Sequence, residues 1–460
     1  MREQGCSTLS PDENGRILDR LAGLEKIISP EIVRGVLRDT GRVNLRSCPL
    51  THEVLLGVVL AMGLLTDLPI RQVFRHARRL RRDEVTPRRS SLCEARQRLG
   101  VQPLRELHAR VARPLATPDT PGAFYRGYRL MGIDGSVFDV PDSEANAVFG
   151  RASGGRGDGA FPQIRKVSLV ELGTHVETAL ALGGWHDSEQ ALVSQLWDHL
   201  PCDTLLLEDR GFFSYAHWIA LHLRVKLLIR GKKNFVLQSI QNLSDGSYLA
   251  KIYPTPSDRD KDHHGVVVRV IDYTLNDPQR TGQGEVHRLI TNLLDETQFP
   301  ALELILLYHE RWEVELVFDE QKTHQDPRRA EKPAHLRSET PEGVRQEMYA
   351  LSLGHFVVRA LMFEAARPAQ WDVDRLSFTG CLQILQCRLP ESDSRTDETL
   401  TTWYEALLSE MRQEQIGPRR NRINPRVIKR KMSKWNKKRP HHRRPKPLLK
   451  RFEDCVVMAN

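Results

Sequence analysis

The sequence predicts an α/β protein with a helical N-terminal region and a mixed sheet. Apolar residues recur at helical spacing up to about residue 118, and strand-like and helix-like runs alternate from about 124 to 230. The order of these runs (three strands, helix, strand, helix, strand) is typical of an α/β core with a mixed sheet. With 460 residues, the chain is long enough for two or three domains.

Four helices are predicted in the N-terminal region. Ser29 followed by Pro30 is typical of a helix start, and further helices are expected from about Thr51, over 70–77 and over 91–99. The last two are short, basic and separated by a polar turn. They fit a helix-turn-helix that reads DNA, and the alternative interpretation is a small bundle with solvated arginines.

The later elements are predicted from the same patterns. Strands are expected at 128–134, 166–172, 175–182, 204–207 and 225–230, with helices at 188–199 and from 214. Between about 231 and 300 the pattern becomes β-rich, with paired strands at 266–273 and 286–293, which we interpret as an inserted subdomain. A long helix should run from about 302 past Lys322, and another from Thr340 through Phe363.

These elements suggest five segments. We expect a helical N-terminal domain at 1–118, a core in two parts at 119–230 and 301–372, a β-rich insertion at 231–300, and a C-terminal region at 373–460. The last of these contains a basic arm at 419–451.

Basic charge is concentrated in that arm. The formal net charge is +9, yet residues 419–451 hold 16 Lys or Arg and no Asp or Glu, so the rest of the chain is net negative. A local excess of this kind favours contact with a polyanion such as DNA, although a solubilising tail is the alternative.

The cysteines and the apolar runs indicate a reduced, cytoplasmic protein. Seven scattered cysteines without a C-x-x-C pair argue against a zinc site and a disulfide framework. The N-terminus has no hydrophobic signal core, and the longest apolar run, 54–65, is too short to span a bilayer. We therefore expect a cytoplasmic protein with no membrane partner.

One predicted helix carries several groups that suit phosphate chemistry. At 100° per residue, Tyr308, Arg311, Glu315 and Lys322 fall within one sector about 60° wide. This face can present a carboxylate to a metal and two cations to phosphates. Asp319 is a rival acid on this face, whereas Glu313 and Glu320 should point away. A surface helix with an Arg311–Glu315 salt bridge is the alternative.

Two aspartates follow predicted strands. Asp134 is expected to end the strand at 128–134, and Asp209 follows the strand at 204–207. Carboxylates at strand ends point into the crevice where open α/β sheets place their sites, although turn chemistry explains each one separately. Glu208 should face away from Asp209.

Asp134, Asp209 and Glu315 together would form a set of oxygen ligands for a metal. Three close carboxylates would not all stay ionised without a cation, and ligation by oxygen suits Mg²⁺ or Mn²⁺. Two such ions about 4 Å apart can activate a nucleophile and stabilise the leaving oxygen in phosphodiester displacement.

The spacing Y-x₂-R-x₃-E-x₆-K, met by Tyr308, Arg311, Glu315 and Lys322, resembles the signature of the insertion-element-four family of bacterial DDE transposases. The strings IDGSVFDVPD, LLEDRGFFSY and LRSETPEGVRQE are also similar to that family's blocks, and the resemblance covers roughly residues 15 to 440. It implies an RNase H-like core interrupted by a β-rich insertion, and cut-and-paste transposition through a hairpin intermediate.

The resemblance also implies roles for particular residues. Asp134, Asp209 and Glu315 would be metal ligands, while Tyr308, Arg311 and Lys322 would hold phosphates of the transposon end. The active form would be a homodimer on DNA, associated with the nucleoid. The alternatives are a metal-dependent nuclease that does not rejoin DNA, and a DNA-binding repressor without catalysis.

Further DNA contacts are expected around this site and in the arm. The loop near Asp134 offers Arg151, Arg156, Arg165 and Lys166, Arg210 follows Asp209 directly, and the arm offers Arg419, Arg420, Lys429, Arg430 and Lys431. Trp185 and Trp312 could stack on a flipped base, although we favour a core position for each.

Overall fold

The structure is a computed structural model that describes most of the chain. The described residues are 19–43, 50–78, 85–154, 157–232, 235, 237–278, 280, 283–327, 334–392, 397–417, 427–428, 436–437, 439 and 449–459. The predicted DNA contacts that lie outside them are Arg156, Arg419, Arg420, Lys429, Arg430 and Lys431.

The chain forms two compact units. The first comprises Met1–Asp203 and Trp312–Ile416, and the second comprises Thr204–Arg311 and Gly417–Asn460. The predicted limits at 118, 230, 300 and 372 are not boundaries of these units.

The α-helices confirm the predicted helical regions. They are α1 (Pro30–Asp39), α2 (His52–Leu64), α3 (Ile70–Ala77), α4 (Arg89–Leu99), α5 (Gln102–Val111), α6 (Glu189–Val193), α7 (Tyr215–Leu221), α8 (Pro256–Asp260), α9 (Ala301–Leu307), α10 (Glu313–Asp319), α11 (Pro341–Ala366), α12 (Phe378–Arg388) and α13 (Asp397–Met411). The side chains of Ser29, Thr51 and Thr340 each accept a backbone N–H at a helix start, as residues of these types favour.

The strands confirm the expected mixture of pairings. They are β1 (Phe124–Tyr125), β2 (Tyr128–Asp139), β3 (Arg151–Gly154), β4 (Gly157–Glu171), β5 (Val176–Gly184), β6 (Thr204–Glu208), β7 (Lys226–Arg230), β8 (Ser239–Asn242), β9 (Tyr248–Ile252), β10 (Val266–Leu275), β11 (His287–Thr291), β12 (Val427–Ile428), β13 (Asn436–Lys437) and β14 (Val456–Met458).

In the first unit, helices pack around the central pair α2 and α11. Neither helix is amphipathic in the usual way: α2 buries most of its residues, and α11 is buried along nearly its whole length. The two backbones approach closely at Gly63, where an added Cβ would lie 1.9 Å from the carbonyl oxygen of Ala350. A glycine is therefore required at this crossing.

The sheet of the first unit is antiparallel, with β4 between β2 and β5. The expected end of a strand at Asp134 is wrong, because β2 continues to Asp139 and its ladder with β4 pairs Asp134 with Ser168 and Asp139 with Gln163. The Asp-Gly pair that suggested a turn is therefore part of a long strand. Asp134 lies near the middle of that strand.

The second unit has a mixed sheet. Strand β6 is parallel to β7, and β7 pairs antiparallel with β11. Strand β11 pairs in turn with β10, as the two β-rich runs predicted, and β10 also pairs with β9 and with β14. The β-rich block therefore extends the sheet that contains β6.

The predicted long helix is a series of different helical turns. After α9 the chain forms a 3₁₀ turn over Tyr308–Trp312, then α10, and then a π-helix over Glu320–Gln325. The π turns change the angle between successive side chains, so a constant 100° per residue does not hold along the whole segment. No helix among the described residues has the length and apolarity needed to cross a membrane.

Candidate active site

Asp134 lies on one face of β2 together with Gly132, Ser136 and Phe138, because side chains alternate along a strand. Asp134 is half-buried, and one of its carboxylate oxygens accepts the backbone N–H of Gly135 at 2.8 Å. This face offers one acid beside a hydroxyl and an aromatic ring.

The segment that carries Glu315 packs on that same face. An added Cβ at Gly132 would lie 2.4 Å from Cγ2 of Val314, so α10 touches the strand there. Two turns later, the Lys322 ammonium donates to the Ser136 hydroxyl at 2.8 Å and lies 4.8 Å from the centre of the Phe138 ring. The helical segment thus contacts β2 on both sides of Asp134.

Glu315 follows Val314 directly and is half-buried, as is Lys322. The rival acid Asp319 is exposed and accepts a hydrogen bond from the Thr323 hydroxyl on its own helix at 2.7 Å. Glu313 is buried and contacts His175 at 2.7 Å, as expected of an acid that points away from the face of Glu315.

Asp209 belongs to the second unit and follows β6. It is half-buried, and its carbonyl oxygen accepts the N–H of Phe212 at 3.1 Å, which closes a turn. Arg210, the next residue, is exposed. Asp134 and Glu315 belong to the first unit, and Asp209 belongs to the second.

The residue before Asp209 is fixed by a buried ion pair. Glu208 is fully buried, and its two carboxylate oxygens accept from Nε2 of His217 at 2.8 and 3.0 Å. Burial alone would lower the pKa of His217, but the charge and hydrogen bond of Glu208 raise it above its ordinary value. Glu208 is committed to this pair, which agrees with its expected orientation away from Asp209.

Tyr308 holds the same strand end from another side. Its hydroxyl donates to the carbonyl oxygen of Glu208 at 3.1 Å, and the side chain is buried. Burial raises the pKa of the phenol strongly; Arg311 opposes this rise and Asp209 adds to it. Tyr308, Arg311 and Asp209 therefore share one local environment in the second unit.

The structure corrects the expectation that Lys166 lies near DNA. Lys166 is fully buried, and its ammonium contacts Glu177 at 2.8 Å. Burial alone would raise the pKa of Glu177, but Lys166 and the hydroxyls of Ser168 and Ser352 hold it at about 2. The physical reason is that Lys166 lies opposite Ser136 on the covered face of the sheet.

The other described basic residues of the loop form ion pairs with neighbouring acids. Arg165 donates to Glu189 at 2.7 Å and lies 5.4 Å from the Trp185 ring, while Arg151 pairs with Asp142. Trp185 is half-buried. The core position favoured for Trp312 is wrong, because 44% of this residue is exposed.

His175, Glu313 and Asp374 have ligand atoms within 4.8 Å of one another, as in a metal site. Arg359, however, donates to Nδ1 of His175 at 2.8 Å. The neutral ring then carries its proton on Nε2, which contacts Glu313 at 2.7 Å and Asp374 at 3.1 Å. Neither ring nitrogen of His175 then has a lone pair for a metal, so we interpret the group as a structural hydrogen-bond network.

Asp134 and Glu315 have the chemistry that a hard divalent cation requires. Both are half-buried carboxylates, one on β2 and the other on α10, which packs against β2 through Val314. In the second unit, Asp209 is a half-buried carboxylate that follows β6. Oxygen donors of this kind suit Mg²⁺ or Mn²⁺. The residues present therefore fit the expected metal.

Two supporting features were missed from the sequence. Ser136, the partner of Lys322, lies two residues after Asp134. If the predicted strand had been continued beyond Asp134, the alternation of side chains would have placed Ser136 on the same face as Asp134. The Glu208–His217 pair spans nine residues between a strand and a helix, and nothing in the pattern connects the two.

Comparison with known proteins gives consistent matches. The family model "Insertion element 4 transposase N-terminal" matches residues 18–109, and "Transposase DDE domain" matches residues 125–353. The chain is 29% identical over 427 residues to the transposase InsG for insertion sequence element IS4 of Escherichia coli (strain K12), across 90% of this chain and 93% of InsG. A piggyBac transposase synaptic complex with hairpin DNA is similar over 85% of each chain, with a TM-score of 0.42 and 10% identity.

Proposed function

Because the chain belongs to the insertion-element-four family of DDE transposases, we propose that Asp134, Asp209 and Glu315 hold its catalytic divalent metal. The protein is a transposase, and the family implies that its reaction depends on a divalent metal. The proposal adds the identity of the ligands, the choice of Mg²⁺ or Mn²⁺ with two ions bound, and the steps of the reaction.

One observation carries the assignment of the ligands. The segment with Glu315 contacts β2 at Gly132 through Val314 and at Ser136 through Lys322, and Asp134 lies between these two positions on the same face. This arrangement brings α10 against the strand that carries Asp134, which supports an acid of that helix as a second ligand. It supports Glu315, rather than the exposed Asp319, as the helical ligand.

The neighbouring residues then have definable tasks. The bound metal would supply activation of a water or 3′-hydroxyl and stabilisation of the leaving oxygen. Lys322 donates a hydrogen bond to Ser136, and its positive charge would attract a phosphate of the DNA end. Tyr308 and the Glu208–His217 pair hold the strand end from which Asp209 extends.

The complete reaction that we propose is cut-and-paste transposition. The protein would nick the transposon end, form and reopen a hairpin, and join the freed 3′-hydroxyl to target DNA, working as a homodimer that holds both ends. Resemblance of the Y-x₂-R-x₃-E-x₆-K segment to the family signature supports these finer steps. Arg311, Arg210 and Arg165 would be DNA contacts in this complex.

The test compares two acids of the same helix. Purified full-length protein would be incubated with Mg²⁺ or Mn²⁺, a target plasmid, and a DNA fragment carrying the inverted repeats that flank its own gene. We expect Glu315→Gln and Asp209→Asn to bind the fragment normally but to lose cleavage and joining. The matched control, Asp319→Asn, should retain both.

Each result separates the candidate functions. Cleavage without joining by the unaltered protein would indicate a nuclease, and metal-independent binding without cleavage would indicate a repressor. Normal cleavage by Glu315→Gln would disprove the assignment of the triad.

A further inference from the structure

A cavity in the first unit is lined by basic residues that are not among the proposed metal ligands. A cavity of about 260 Å³ opens between α5, the edge strand β5 and the start of α11. Water occupies about 30 Å³ per molecule in the liquid, so this space corresponds to roughly eight waters. We call it the α5–β5 cavity.

The polar groups that line the α5–β5 cavity are basic or neutral. Arg105, Arg345, His199 and His108 line it together with Gln195 and Tyr349, and no Asp or Glu is among the lining residues. Arg345 is half-buried, and cations at least half-buried are normally paired with an acid, so a lining without a carboxylate is uncommon for a structural pocket. The composition favours an anionic ligand.

The two arginines at the cavity keep their donors available. Arg345 is half-buried and lies over the Phe149 ring at 5.3 Å, which fixes its plane. Among the described residues it has no hydrogen-bond or carboxylate partner. Arg105 is exposed, and its only such partner in the same set is the Gln102 side chain. A planar guanidinium with open donors is suited to bind phosphate oxygens in pairs.

The inner end of the cavity holds a buried phenol. Tyr349 is 8% exposed and packs edge-on against His108 with ring centroids 5.8 Å apart, and its hydroxyl has no partner among the described residues. Arg105 and Arg345 both act to lower the pKa of this phenol against the effect of burial, so both charges lie near it. The hydroxyl is open to the cavity, where it can donate to an oxygen of a ligand.

We propose that the α5–β5 cavity binds a phosphate ester, with Arg105 and Arg345 on the phosphate and Tyr349 donating to one of its oxygens. The apolar side chains of β5, such as Leu180 and Leu182, offer a wall for the organic part of the ligand. The phosphate belongs either to a strand of DNA or to a free nucleotide. None of the proposed metal ligands lines this cavity, and its occupancy is tested by binding without any cleavage assay.

The experiment uses full-length protein in chloride buffer without phosphate. Inorganic phosphate and thymidine 5′-monophosphate would be titrated by calorimetry, and the affinity for duplex DNA would be measured over a range of salt concentrations. The variants are Arg345→Gln and Tyr349→Phe. The matched control is Arg113→Gln, which removes an exposed arginine just after α5 that does not line the cavity.

If the occupant is a free nucleotide, we expect saturable binding of thymidine 5′-monophosphate. Arg345→Gln should weaken this binding by about tenfold or more, and Arg113→Gln should leave it unchanged. If the occupant is a phosphate of DNA, we expect neither free ligand to bind. The slope of log affinity for DNA against log salt concentration should then fall by about one in Arg345→Gln and by less in the control. If neither free ligand binds and the salt slopes of Arg345→Gln and Arg113→Gln are equal, the proposal is overturned. Arg105→Gln provides the same comparison in both arms should Arg345→Gln fold poorly, whereas Tyr349→Phe removes no charge and tests only the binding of the free ligand.

Discussion

The Tyr308 hydroxyl has a single proton, and the structure directs that proton to the Glu208 carbonyl oxygen inside the protein. A phenol that already donates has none left for a phosphate oxygen. The hydrogen bond instead fixes the backbone immediately before Asp209. At the scale of single residues, Tyr308 is best described as a positioning residue for Asp209, the proposed metal ligand.

Changing Tyr308 to Phe should therefore alter metal dependence more than DNA affinity. We expect a loss of about 1 kcal/mol in the free energy of unfolding, from the lost hydrogen bond, and a higher Mg²⁺ concentration for half-maximal cleavage. Affinity for transposon-end DNA should stay unchanged. Tyr273→Phe is a control, because Tyr273 is a buried tyrosine of the same unit whose hydroxyl has no partner among the described residues.

A drop in DNA affinity with unchanged Mg²⁺ dependence would contradict this role. It would instead favour the phosphate contact that the resemblance implied.

His108 should make the stability of the first unit depend on pH. Burial lowers its pKa to about 4 from an ordinary value of 6.5. Between pH 6.5 and 4 the unfolded chain then binds more protons than the folded one, so stability is fully present above pH 6.5 and is lost as pH falls. The total contribution is about 3 kcal/mol.

This prediction is tested by denaturant unfolding in phosphate-free buffer at several pH values. His108→Gln should flatten the slope of unfolding free energy between pH 6.5 and 4 relative to the unaltered protein. Parallel slopes for the two proteins would show that His108 is not the responsible group.

At the scale of elements, the sequence predicted much of the fold. The α/β class, the N-terminal helices and the strand that ends before Asp209 are confirmed, and the chain matches the DDE transposase domain that the resemblance implied. The course of β2 beyond Asp134 was missed, because Asp-Gly is turn-like locally and only the ladder with β4 reveals the strand. Tertiary pairing overrode local preference there.

The helical segment from Tyr308 to Gln325 shows the same limit. Its sequence is compatible with one regular helix, and the change to 3₁₀ and π turns depends on contacts that lie far away along the chain. Lys322, for example, is fixed by Ser136, and Gln321 by Lys166. The positions of Glu315 and Lys322 relative to β2 could not be derived from spacing alone.

The contact between α10 and β2 provides a test at this scale. Gly132→Ala would place a methyl group 2.4 Å from Val314, so we expect a loss of about 1–3 kcal/mol in stability and slower cleavage as α10 shifts. Adding Val314→Ala should restore part of both. Gly417→Ala, where nothing lies within 4 Å of the new methyl group, is the control.

Independent, additive effects of Gly132→Ala and Val314→Ala would contradict a direct contact between strand and helix, because coupled neighbours deviate from additivity.

At the scale of the whole molecule, the charge of the chain is divided unevenly. The concentration of cations at 419–451 was visible in the sequence. The structure of the residues after the arm was not visible in the sequence. Cys455 is buried, and β14 pairs with β10, which lies about 180 residues earlier in the chain, so no local pattern could reveal this pairing. The basic arm thus precedes an ordered strand of the second unit.

Neutralising the arm should weaken DNA binding without removing that strand. Changing Arg419, Arg420, Lys429, Arg430 and Lys431 to Gln should flatten the dependence of log affinity on log salt by up to about 4.5, if each cation contacts a phosphate. Affinity would be measured by fluorescence anisotropy. Deletion of residues 456–460 removes β14 but no cation. It therefore separates the effect of the arm's charge from the effect of β14 pairing with β10.

An unchanged salt slope in the neutralised variant would exclude the arm as a major phosphate contact.

The buried pair of Lys166 and Glu177 also constrains how related sequences can diverge. Loss of either partner leaves the other charge buried and unpaired, which costs about 3–5 kcal/mol in the free energy of unfolding. This is a large part of the roughly 5–15 kcal/mol that typically separates a folded protein from its unfolded chain. Selection should therefore remove single substitutions at these positions, whereas joint replacement of both residues by apolar residues of similar volume is tolerated. Among descendants of this gene, positions 166 and 177 should be inherited, or lost, together.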